Sequence, residues 1–567
     1  MREYKKYAWL GLLCIGVEVV LEITVPLLMA DLIDYGVTNA DGTYIIKKGL
    51  QMALCAVLAL ILGVGSAKFS ALAGQGLGAN IRKAEYEKLQ SYSFSNIDHF
   101  SVSSLVTRLT SDVTNIQNAV STGMRPFGRS PVMLIFATSF AFRINSTLAL
   151  VFLVALPTLA VLLILIIINV GPLYGRMQSA IDQVNRCIQE NLTAIRVVKS
   201  YVRGDYEVEK FGVVNENLKS ESEKAFGTAV LNMPAMQFVM YGTILGILLI
   251  GGRLINEGQM MIGQLTSFLS YVLLILNSLM MMSNVFLLMT RSLASAERIM
   301  EVIDEKIDIT DENAKDIAVA KGEIEFDHVW FKYKDTAKEY VLSDVSFHIK
   351  PGQTVGIIGQ TGSSKTTLVQ LIPRLYDVTK GEVKIDGINV KEYPVRHLRD
   401  AVAMVLQKNT LFSSSLIDNL RWGNENATLD EIKEACQIAC VDEFVDRLAD
   451  GYDTEMGQEG VNVSGGQKQR ICIARAILKK PKVLILDDST SAVDTATEAK
   501  IRSGLAEKLP DMTKIIIAQR ISSVRHADQI IIMDRGHVEA IGTHESLLRD
   551  NQIYQEIYAS QKEGADL

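Results

Sequence analysis

The sequence predicts an all-α membrane domain of six helices with long cytoplasmic extensions, followed by a soluble α/β domain with a phosphate-binding loop. Hydrophobic residues make up 48% of the 567 residues, and nearly all of the excess lies before residue 300. Six segments there are long and apolar enough to cross a bilayer, which takes about 20 residues each. After residue 322 short apolar runs alternate with helical patterns, as in an α/β fold.

The six apolar segments define the membrane half. They are 8–34, 50–75, 130–146, 148–171, 228–251 and 264–290. Lys and Arg are concentrated in the two long connections, 76–129 and 172–226, and are sparse in the short ones. The positive-inside rule therefore places both chain ends and both long connections in the cytoplasm. Apolar residues recur there at spacings of three and four, so we expect the membrane helices to continue beyond the bilayer.

Charge and cysteine spacing limit the kinds of function and site that the chain can have. The net charge of −7 gives no indication of nucleic-acid binding. The six cysteines are scattered without CxxC spacing, which favours reduced, packed thiols over a metal site or disulfides. The start, "MREYKKYAWLGLL", has no small-residue cleavage site and is interpreted as an uncleaved cytoplasmic end. An acidic linker, 304–322, separates the predicted membrane domain, 1–303, from the soluble domain, 323–567, whose first strand is expected in "GEIEFDHVWFKY".

A strand, a glycine-containing loop and a helix are predicted in "VGIIGQTGSSKTTL", residues 355–368. The loop fits the pattern G-x-x-x-x-G-K-[ST] except at Ser364, which replaces a glycine. Lys365 is expected to reach the β- and γ-phosphates, and Thr366 to offer its hydroxyl to Mg²⁺. Serine is tolerable here if its φ is negative, so we expect nucleotide binding to survive. The predicted nucleotide-binding residues of the loop are Gly359, Thr361, Gly362, Ser363, Ser364, Lys365, Thr366 and Thr367.

Two adjacent carboxylates end the apolar run in "VLILDDSTSAVD", residues 483–494. A buried parallel strand delivers acid groups to a nucleotide site at its carboxyl end in this way. Asp487 is expected to hold Mg²⁺. Asp488 stands where a base for an attacking water is wanted, but its side chain is one methylene shorter than that of glutamate. The stretch therefore raises the question of whether the site hydrolyses nucleotide or only holds it.

"VSGGQ", residues 463–467, followed one helix later by "LILDD", resembles the signature sequence and Walker B strand of ABC-transporter ATPases. Six spans before one such domain resemble a half-transporter of the ABC exporter type, and the resemblance covers essentially the whole chain. It implies that Tyr333 stacks on adenine and that Gln407 senses Mg²⁺, with Asp487 and Thr366 as further metal ligands. It also implies that signature residues contact the γ-phosphate of ATP bound by another subunit; these are Ser464, Gly465, Gly466 and Gln467.

Two catalytic positions depart from the family pattern. The family has Glu where this chain has Asp488, and His in the switch segment where this chain has Gln519. The shorter side chain withdraws the carboxylate by about 1 Å, and misplacement on that scale can cost about 10²-fold in rate. Glutamine forms hydrogen bonds but cannot titrate. Because the signature is intact, the chain resembles the degenerate-site member of bacterial heterodimeric multidrug ABC exporters.

This resemblance implies two composite ATP sites in a bacterial cell membrane. One uses Lys365, Asp487, Asp488 and Gln519 with a partner's signature, binds ATP and Mg²⁺, and turns ATP over slowly or not at all. The other joins this chain's signature to the Walker motifs of a second half-transporter with an intact Walker B glutamate, where most hydrolysis is expected. The leading hypothesis is export of hydrophobic drugs or lipids. Alternatives are an ATP-binding regulatory or channel-like subunit and a lipid or peptide exporter that works as a homodimer.

Two features of the membrane half suggest substrate contacts. Glu18 and Glu22 lie one helical turn apart near the middle of the first span. Ionisable groups there either face a cavity, here for cationic amphipathic substrates, or form a buried pair that joins helices. Met281 lies in "NSLMMMSNVF" of the last span, where methionines form either an adaptable ligand surface or lipid-facing packing. The pattern of Asp98, Phe100, Arg108 and Asp112 in the first long connection is expected to be structural.

Overall fold

The computed structural model describes residues 3–334, 336–488 and 492–563. The chain divides into two compact units. The first comprises Met1–Gln90 and Ser103–Asp304, and the second comprises Ser91–Val102 and Glu305–Leu567. A short piece of the first long connection thus belongs with the carboxyl-terminal unit. The sequence boundaries 1–303, 304–322 and 323–567 stay a prediction.

The long apolar runs of the first unit form helices, which satisfy their backbone hydrogen bonds within the segment, although Pro26, Pro131 and Pro157 lie inside them. In chain order the helices up to residue 304 are α1 Lys5–Asp31, α2 Gly42–Gln90, α3 Phe94–His99, α4 Val102–Thr107, α5 Val113–Ser121, α6 Met124–Ile144, α7 Ser146–Thr193, α8 Ile195–Ser200, α9 Gly204–Val230, α10 Asn232–Asn256 and α11 Ile262–Asp304, with π-helical turns over Leu32–Val37 and Arg108–Asp112. The helices α2, α7 and α11 extend well past the apolar segments at 50–75, 148–171 and 264–290, as their periodicity predicts. Asn145 separates α6 from α7 and caps α7 by accepting a hydrogen bond from the N–H of Leu148.

Long helices cover all six predicted membrane segments, but not all of these helices are equally apolar. Among the described residues, four helical stretches are long and apolar enough to cross a membrane: Lys5–Val37, Gly42–Gln90, Gly204–Asn256 and Ile262–Met282. A shorter apolar stretch lies at Ser146–Leu162. The count of six crossings therefore stays a prediction.

The core of the first unit lies between α1, α6, α7, α10 and α11. Buried side chains such as Ile15, Met133 and Phe152 pack there. The rings of Phe152 and Phe268 stack with their centroids 5.3 Å apart. Such ring contacts, together with the burial of apolar surface, stabilise the packing of these helices.

The second unit contains two β-sheets, as the alternation of strands and helices predicts. Its strands are β1 Ile324–Phe331, β2 Leu342–Ile349, β3 Thr354–Gly359, β4 Lys380–Ile385, β5 Ile388–Asn389, β6 Val402–Val405, β7 Val483–Asp487, β8 Thr513–Ile517, β9 Gln529–Asp534 and β10 His537–Gly542. The first of these lies in "GEIEFDHVWFKY", so that prediction is confirmed. The helices after residue 304 are α12 Lys365–Gln370, α13 Val395–Ala401, α14 Leu416–Arg421, α15 Leu429–Ile438, α16 Asp442–Val445, α17 Gly465–Leu478, α18 Thr495–Lys508, α19 Ile521–Val524, α20 His544–Asp550 and α21 Gln552–Glu563, with 3₁₀ turns over Val390–Glu392, Gly451–Asp453 and Gln458–Gly460.

The larger sheet determines where the functional residues meet. Its strand order is β10-β9-β3-β8-β7-β6, while the smaller sheet has the order β2-β1-β4-β5. Strands β9, β3, β8, β7 and β6 run parallel, and β10 pairs with β9 in the antiparallel sense. All five residues of β7 are buried, because apolar layers cover both faces of the sheet. A strand buried on both faces reads as a continuous apolar run, as β7 does.

Candidate functional site

Polar residues that follow four neighbouring parallel strands meet at one edge of the larger sheet. In the spatial order β3, β8, β7 and β6, the strand ends lead to the phosphate loop, Gln519, the pair Asp487 and Asp488, and Gln407. Ligands of open α/β sheets bind outside the carboxyl ends of the strands. A cavity of about 310 Å³ lies at this edge. It is lined by Thr361, Gly362, Ser364, Lys365, Thr366, Thr367, Gln407, Asp487, Asp488, Ile517 and Gln519.

The phosphate loop holds an ammonium group in this cavity. Lys365 Nζ donates hydrogen bonds to the carbonyl oxygens of Gly359 (2.9 Å) and Gln360 (2.8 Å), and to Ser363 Oγ (3.1 Å). Burial lowers the pKa of Lys365. A Cβ atom at Gly359 would lie 2.2 Å from the carbonyl oxygen of Met533, so the loop passes too close to β9 for any other residue. The arrangement presents one positive charge and a ring of small side chains to an anion.

Ser364 has a left-handed backbone, with φ 69° and ψ 24°. The expectation of a negative φ at this residue is therefore wrong. The loop turns at this point into α12, and the turn requires the conformation that glycine adopts without steric cost. A side chain with a Cβ in this region costs roughly 1–2 kcal/mol. Serine thus occupies a position whose geometry suits glycine.

Asp487 has the environment of a metal ligand. Its Oδ1 accepts a hydrogen bond of 3.0 Å from Thr366 Oγ1. Its Oδ2 is buried and has no hydrogen-bond partner in the described part of the chain. Burial raises the pKa of Asp487, because removal from water disfavours the charged form. A hydroxyl beside an orphaned carboxylate oxygen fits Mg²⁺, which prefers hard oxygen ligands.

Asp488 is engaged by neutral donors. Gln519 Nε2 donates a 2.8 Å hydrogen bond to Asp488 Oδ2. Burial raises the pKa of Asp488, and the hydrogen bond from Gln519, the positive charge of Lys365 and the hydrogen bond from Gln407 partly oppose that increase. The backbone φ of Asp488 is 47°, a region that Asp tolerates better than most residues. The two departures from the family pattern therefore contact each other directly.

The signature residues form a capped helix start outside this cavity. Ser464 Oγ accepts a hydrogen bond from the N–H of Gln467 (3.3 Å), and Gln467 Oε1 accepts one from the N–H of Ser464 (2.8 Å). This reciprocal capping box begins α17. Gly465 and Gly466 form its first turn. None of these four residues lines the 310 Å³ cavity.

Tyr333 lies beside the phosphate loop although it does not line the cavity. Its hydroxyl is 2.8 Å from Thr367 Oγ1. Tyr333 is 43% exposed, so part of the residue is accessible to a ligand. The ring packs edge-on against Tyr376, with centroids 5.2 Å apart. The position is compatible with the stacking role that the resemblance implies.

The predicted acidic pair of the membrane half forms ion pairs within the first unit. Glu18 Oε1 accepts hydrogen bonds from Arg125 Nη2 (2.7 Å) and Arg129 Nη1 (3.4 Å). Glu22 accepts one of 2.6 Å from Arg129 Nη2. Two guanidinium groups balance two carboxylates, so the cluster does not present the uncompensated negative charge that recognition of a purely cationic substrate would use. The contacts join α1 to α6, as the helix-joining alternative predicts.

Met281 lines neither of the cavities found in the membrane unit. Its side chain is 39% exposed. The neighbouring Met280 instead borders an apolar cavity of about 130 Å³, together with Met236 and Met240. Met280 belongs to the same run of three methionines, so a substrate role for Met281 stays a prediction.

Comparison with known proteins decides the family. Residues 8–279 match the family model of the ABC transporter transmembrane region, and residues 342–491 match that of the ABC transporter. An uncharacterized ABC transporter ATP-binding protein of Bacillus subtilis, YfiB, is 38% identical over 568 aligned residues, which cover 100% of this chain and 98% of the relative. The chain belongs to the ABC transporter family. An ATP-dependent lipid A-core flippase of Pseudomonas putida is 32% identical to this transporter, with 98% of this chain and 94% of the flippase covered.

The transporter also has the fold of a solved exporter. The structure of a bacterial Atm1-family ABC exporter with ATP bound superposes with a TM-score of 0.83, covering 99% of this chain and 98% of that one at 24% identity. A helical transmembrane domain followed by an α/β ATPase domain is thereby confirmed.

Sequence reasoning missed several residues of this ABC transporter. Arg125 and Arg129 were counted only as cytoplasmic charge, yet they start α6 and pair with Glu18 and Glu22. Matching spacings of four residues, Glu to Glu and Arg to Arg, were an available signal. Tyr376 was not singled out either, because a lone aromatic carries no spacing signal.

The pattern expected to be structural does make structural contacts. Tyr376 donates a 2.6 Å hydrogen bond to Asp98 Oδ2. Arg108 Nη2 lies 2.7 Å from Glu301 Oε2. The carboxylate of Asp112 pairs with the guanidinium of Arg298, and this pairing holds the pKa of Asp112 below its usual range. These contacts join segments within each unit, as the structural interpretation of these residues predicts.

Proposed function

We propose that this chain is one subunit of a heterodimeric, ATP-driven exporter of hydrophobic or amphipathic compounds. Its own Walker site binds ATP with Mg²⁺ and hydrolyses it poorly. Hydrolysis takes place mainly at the composite site that its intact signature completes on a partner with a Walker B glutamate. The partner is a second half-transporter in a bacterial cell membrane.

The contact between Gln519 and Asp488 supports this proposal most directly. At the base position the carboxylate is shorter than in the family pattern, and a neutral amide donates to it at 2.8 Å. An amide cannot accept and return a proton as imidazole does. Loss of a well-placed general base costs about 10²- to 10⁴-fold in rate. A site built this way keeps its phosphate and metal ligands but lacks an efficient path for the proton of the attacking water.

The remaining residues have binding roles in this proposal. Lys365 and the N–H groups of the loop hold the phosphates, and Tyr333 stacks on adenine. Asp487 and Thr366 hold Mg²⁺, with Gln407 beside them; the bound ion neutralises phosphate charge. Binding of ATP brings the soluble domains of the two subunits together, and that closure turns the membrane cavity outward.

The membrane half is proposed to cross the bilayer six times, with both termini in the cytoplasm. Within the described ranges, four helical stretches meet the length and composition required for a span. The helices α6 and α7 supply the other two crossings as a hairpin around Asn145. The distribution of Lys and Arg supports this orientation.

ATP turnover of the purified chain, reconstituted in nanodiscs and shown to be folded and to bind nucleotide, tests the proposal. We expect negligible turnover from this chain alone. Co-purification with a half-transporter that carries Glu at the position matching Asp488 should restore it. Brisk turnover by the chain alone would show that Asp488 and Gln519 suffice, and would overturn the heterodimer.

A homodimeric lipid exporter is the second candidate. Its support is the similarity to the lipid A-core flippase of Pseudomonas putida along nearly the full length of both chains. In that case turnover by this chain alone would increase when lipid is added. The same preparation therefore separates the two candidates.

A further inference from the structure

The first unit contains a second cavity, of about 770 Å³, at the Glu18 cluster. Most of its wall is apolar and comes from α1, α2 and α11, as illustrated by Val25, Leu60 and Leu273. Its charged lining consists of Glu18, Glu22 and Arg125. A cavity with an apolar wall and one polar end has the shape of a site for an amphiphile.

The polar end offers an acceptor and a donor side by side. Glu18 is only 5% exposed, and its Oε2 is buried without a hydrogen-bond partner among the described residues. The side chain of Arg125 is 42% exposed, and among the described residues its one hydrogen bond runs from Nη2 to Glu18 Oε1. Further N–H groups of this guanidinium stay available, because arginine carries five donors. Buried polar atoms are nearly always paired, so the free Oε2 points to a ligand that donates.

The backbone of α2 passes close to this ion pair at Gly63. A Cβ atom at Gly63 would lie 3.1 Å from Glu18 Oε1 and 3.3 Å from Arg125 Nη2. Glycine at this position therefore lets α2 approach the ion pair without covering it. Any larger residue would press on the charged groups at the polar end.

From this geometry we propose that the cavity binds an amphiphile with a zwitterionic headgroup. Its ammonium donates to Glu18 Oε2, its phosphate or carboxylate accepts from Arg125, and its chain lies along the apolar wall. The inference rests on the proposed export of amphipathic compounds and names their headgroup chemistry. A purely cationic headgroup would approach Arg125, and a purely anionic one would approach Glu18 and Glu22; both like-charge contacts are unfavourable in a low dielectric.

Saturable binding of three radiolabelled probes with the same twelve-carbon chain tests the proposal. The probes are dodecylphosphoethanolamine, dodecylammonium and dodecyl phosphate, and the protein is held in phosphatidylglycerol nanodiscs without ATP, with empty nanodiscs as background. We expect the zwitterion to bind at least about tenfold more tightly than either probe whose headgroup carries charge of one sign only. Equal binding of all three probes, or tightest binding of dodecylammonium or dodecyl phosphate, would overturn the proposal.

Single substitutions test which residue contacts which part of the zwitterionic headgroup. Arg125→Gln should remove the preference over dodecylammonium, and Glu18→Gln the preference over dodecyl phosphate. The exposed pair Arg253 and Glu257, 2.8 Å apart in the same unit, supplies matched controls, and Arg253→Gln and Glu257→Gln should change nothing. If Glu18→Gln does not fold, the Arg125→Gln variant alone tests the assignment. An unchanged preference for the zwitterion over dodecylammonium in that variant would contradict it.

A final comparison separates the sources of such a headgroup. In nanodiscs of phosphatidylethanolamine, a bilayer lipid that occupies the cavity would compete and weaken apparent probe binding, whereas a site for a free amphiphile would bind equally in both lipids. Both outcomes retain the zwitterionic assignment. Because binding is measured without ATP, its failure would leave the ATPase test of the proposed exporter intact.

Discussion

At the scale of single residues, the left-handed Ser364 gives the first prediction. We expect Ser364→Gly to stabilise the ATPase domain by about 1 kcal/mol. Relief of roughly 1–2 kcal/mol of backbone strain is partly offset by the greater freedom of glycine in the unfolded chain. Thermal unfolding of the reconstituted protein, followed by a probe in the soluble domain, measures the effect.

Ser364→Ala is the matched control for that change. It removes the hydroxyl but keeps a Cβ atom at φ 69°. Its stability should therefore stay at or below that of the wild type. Equal gains from Gly and Ala would assign the effect to the hydroxyl and contradict the strain argument.

The residue types of the nucleotide site could be predicted from sequence motifs, whereas the backbone conformation at Ser364 could not. The strands predicted before Lys365 and Asp487 sufficed to expect them at the carboxyl ends of a parallel sheet, whereas the place of Gln519 followed from the family resemblance. The positive φ of Ser364 belongs to the turn by which the loop enters α12, and a serine in place of the pattern's glycine does not indicate it. The hydrogen bond between Asp488 and Gln519 was likewise visible only once β7 and β8 were paired.

At the scale of elements, a buried glutamate near the end of α2 gives the next prediction. Glu85 is fully buried, and neither of its carboxylate oxygens has a hydrogen-bond partner among the described residues. It lies in the predicted cytoplasmic connection 76–129, beyond the predicted span. Burial raises the pKa of Glu85 from its ordinary value of 4.5 to about 7, against the opposing charge of Arg108.

This shift predicts a pH dependence with a definite sign. The folded state binds the Glu85 proton more tightly than the unfolded state, so the free energy of unfolding falls as the pH rises from 4.5 to about 7. Glu85→Gln should remove that dependence and raise stability at pH 8 by an amount on the order of 1 kcal/mol. Unfolding curves at pH 6 and pH 8 check it, and a variant that keeps the wild-type pH slope would contradict the assignment.

The short helix α3 provides a second prediction at this scale. Tyr376→Phe removes the hydroxyl that donates to Asp98, and hydrogen bonds to charged groups contribute about 1.5–3 kcal/mol before solvent screening. Hydrogen exchange of the α3 amides should become several-fold faster. Tyr340→Phe is the control, because no hydrogen bond to that hydroxyl is found in the described residues. Equal exchange in both variants would show that the contact does not hold α3.

The membrane elements show why helices were easier to predict than their contacts. Apolar length predicts a helix from the segment alone, and long helices do cover all six segments. The partners of Glu18 depend on which helix packs beside α1. Arg125 and Arg129 are more than a hundred residues away, so their pairing is a property of the packed unit and not of either segment.

At the scale of the whole molecule, the proposed function requires that the signature of one subunit complete the ATP site of the other subunit. A copy with Asp488→Glu and Gln519→His regains the family's catalytic pair. If that copy also carries Ser464→Arg, its own signature is lost. Where the chain pairs with itself, as in the homodimeric candidate, a mixed dimer with a wild-type copy has one site that joins a restored Walker side to an intact signature.

We expect such mixed dimers to turn ATP over about 10²-fold faster than the wild type, whereas the triple variant alone should stay inactive. Turnover measured against mixing ratio, with tagged copies purified so that only mixed dimers remain, distinguishes the arrangements. A signature that acted within its own chain would leave the mixed dimers inactive, because no single copy then carries both halves of the site. Adding Lys365→Ala to the triple variant should abolish the increase in ATP turnover of the mixed dimers. That result would show that the restored hydrolysis uses the Walker residues of the triple variant.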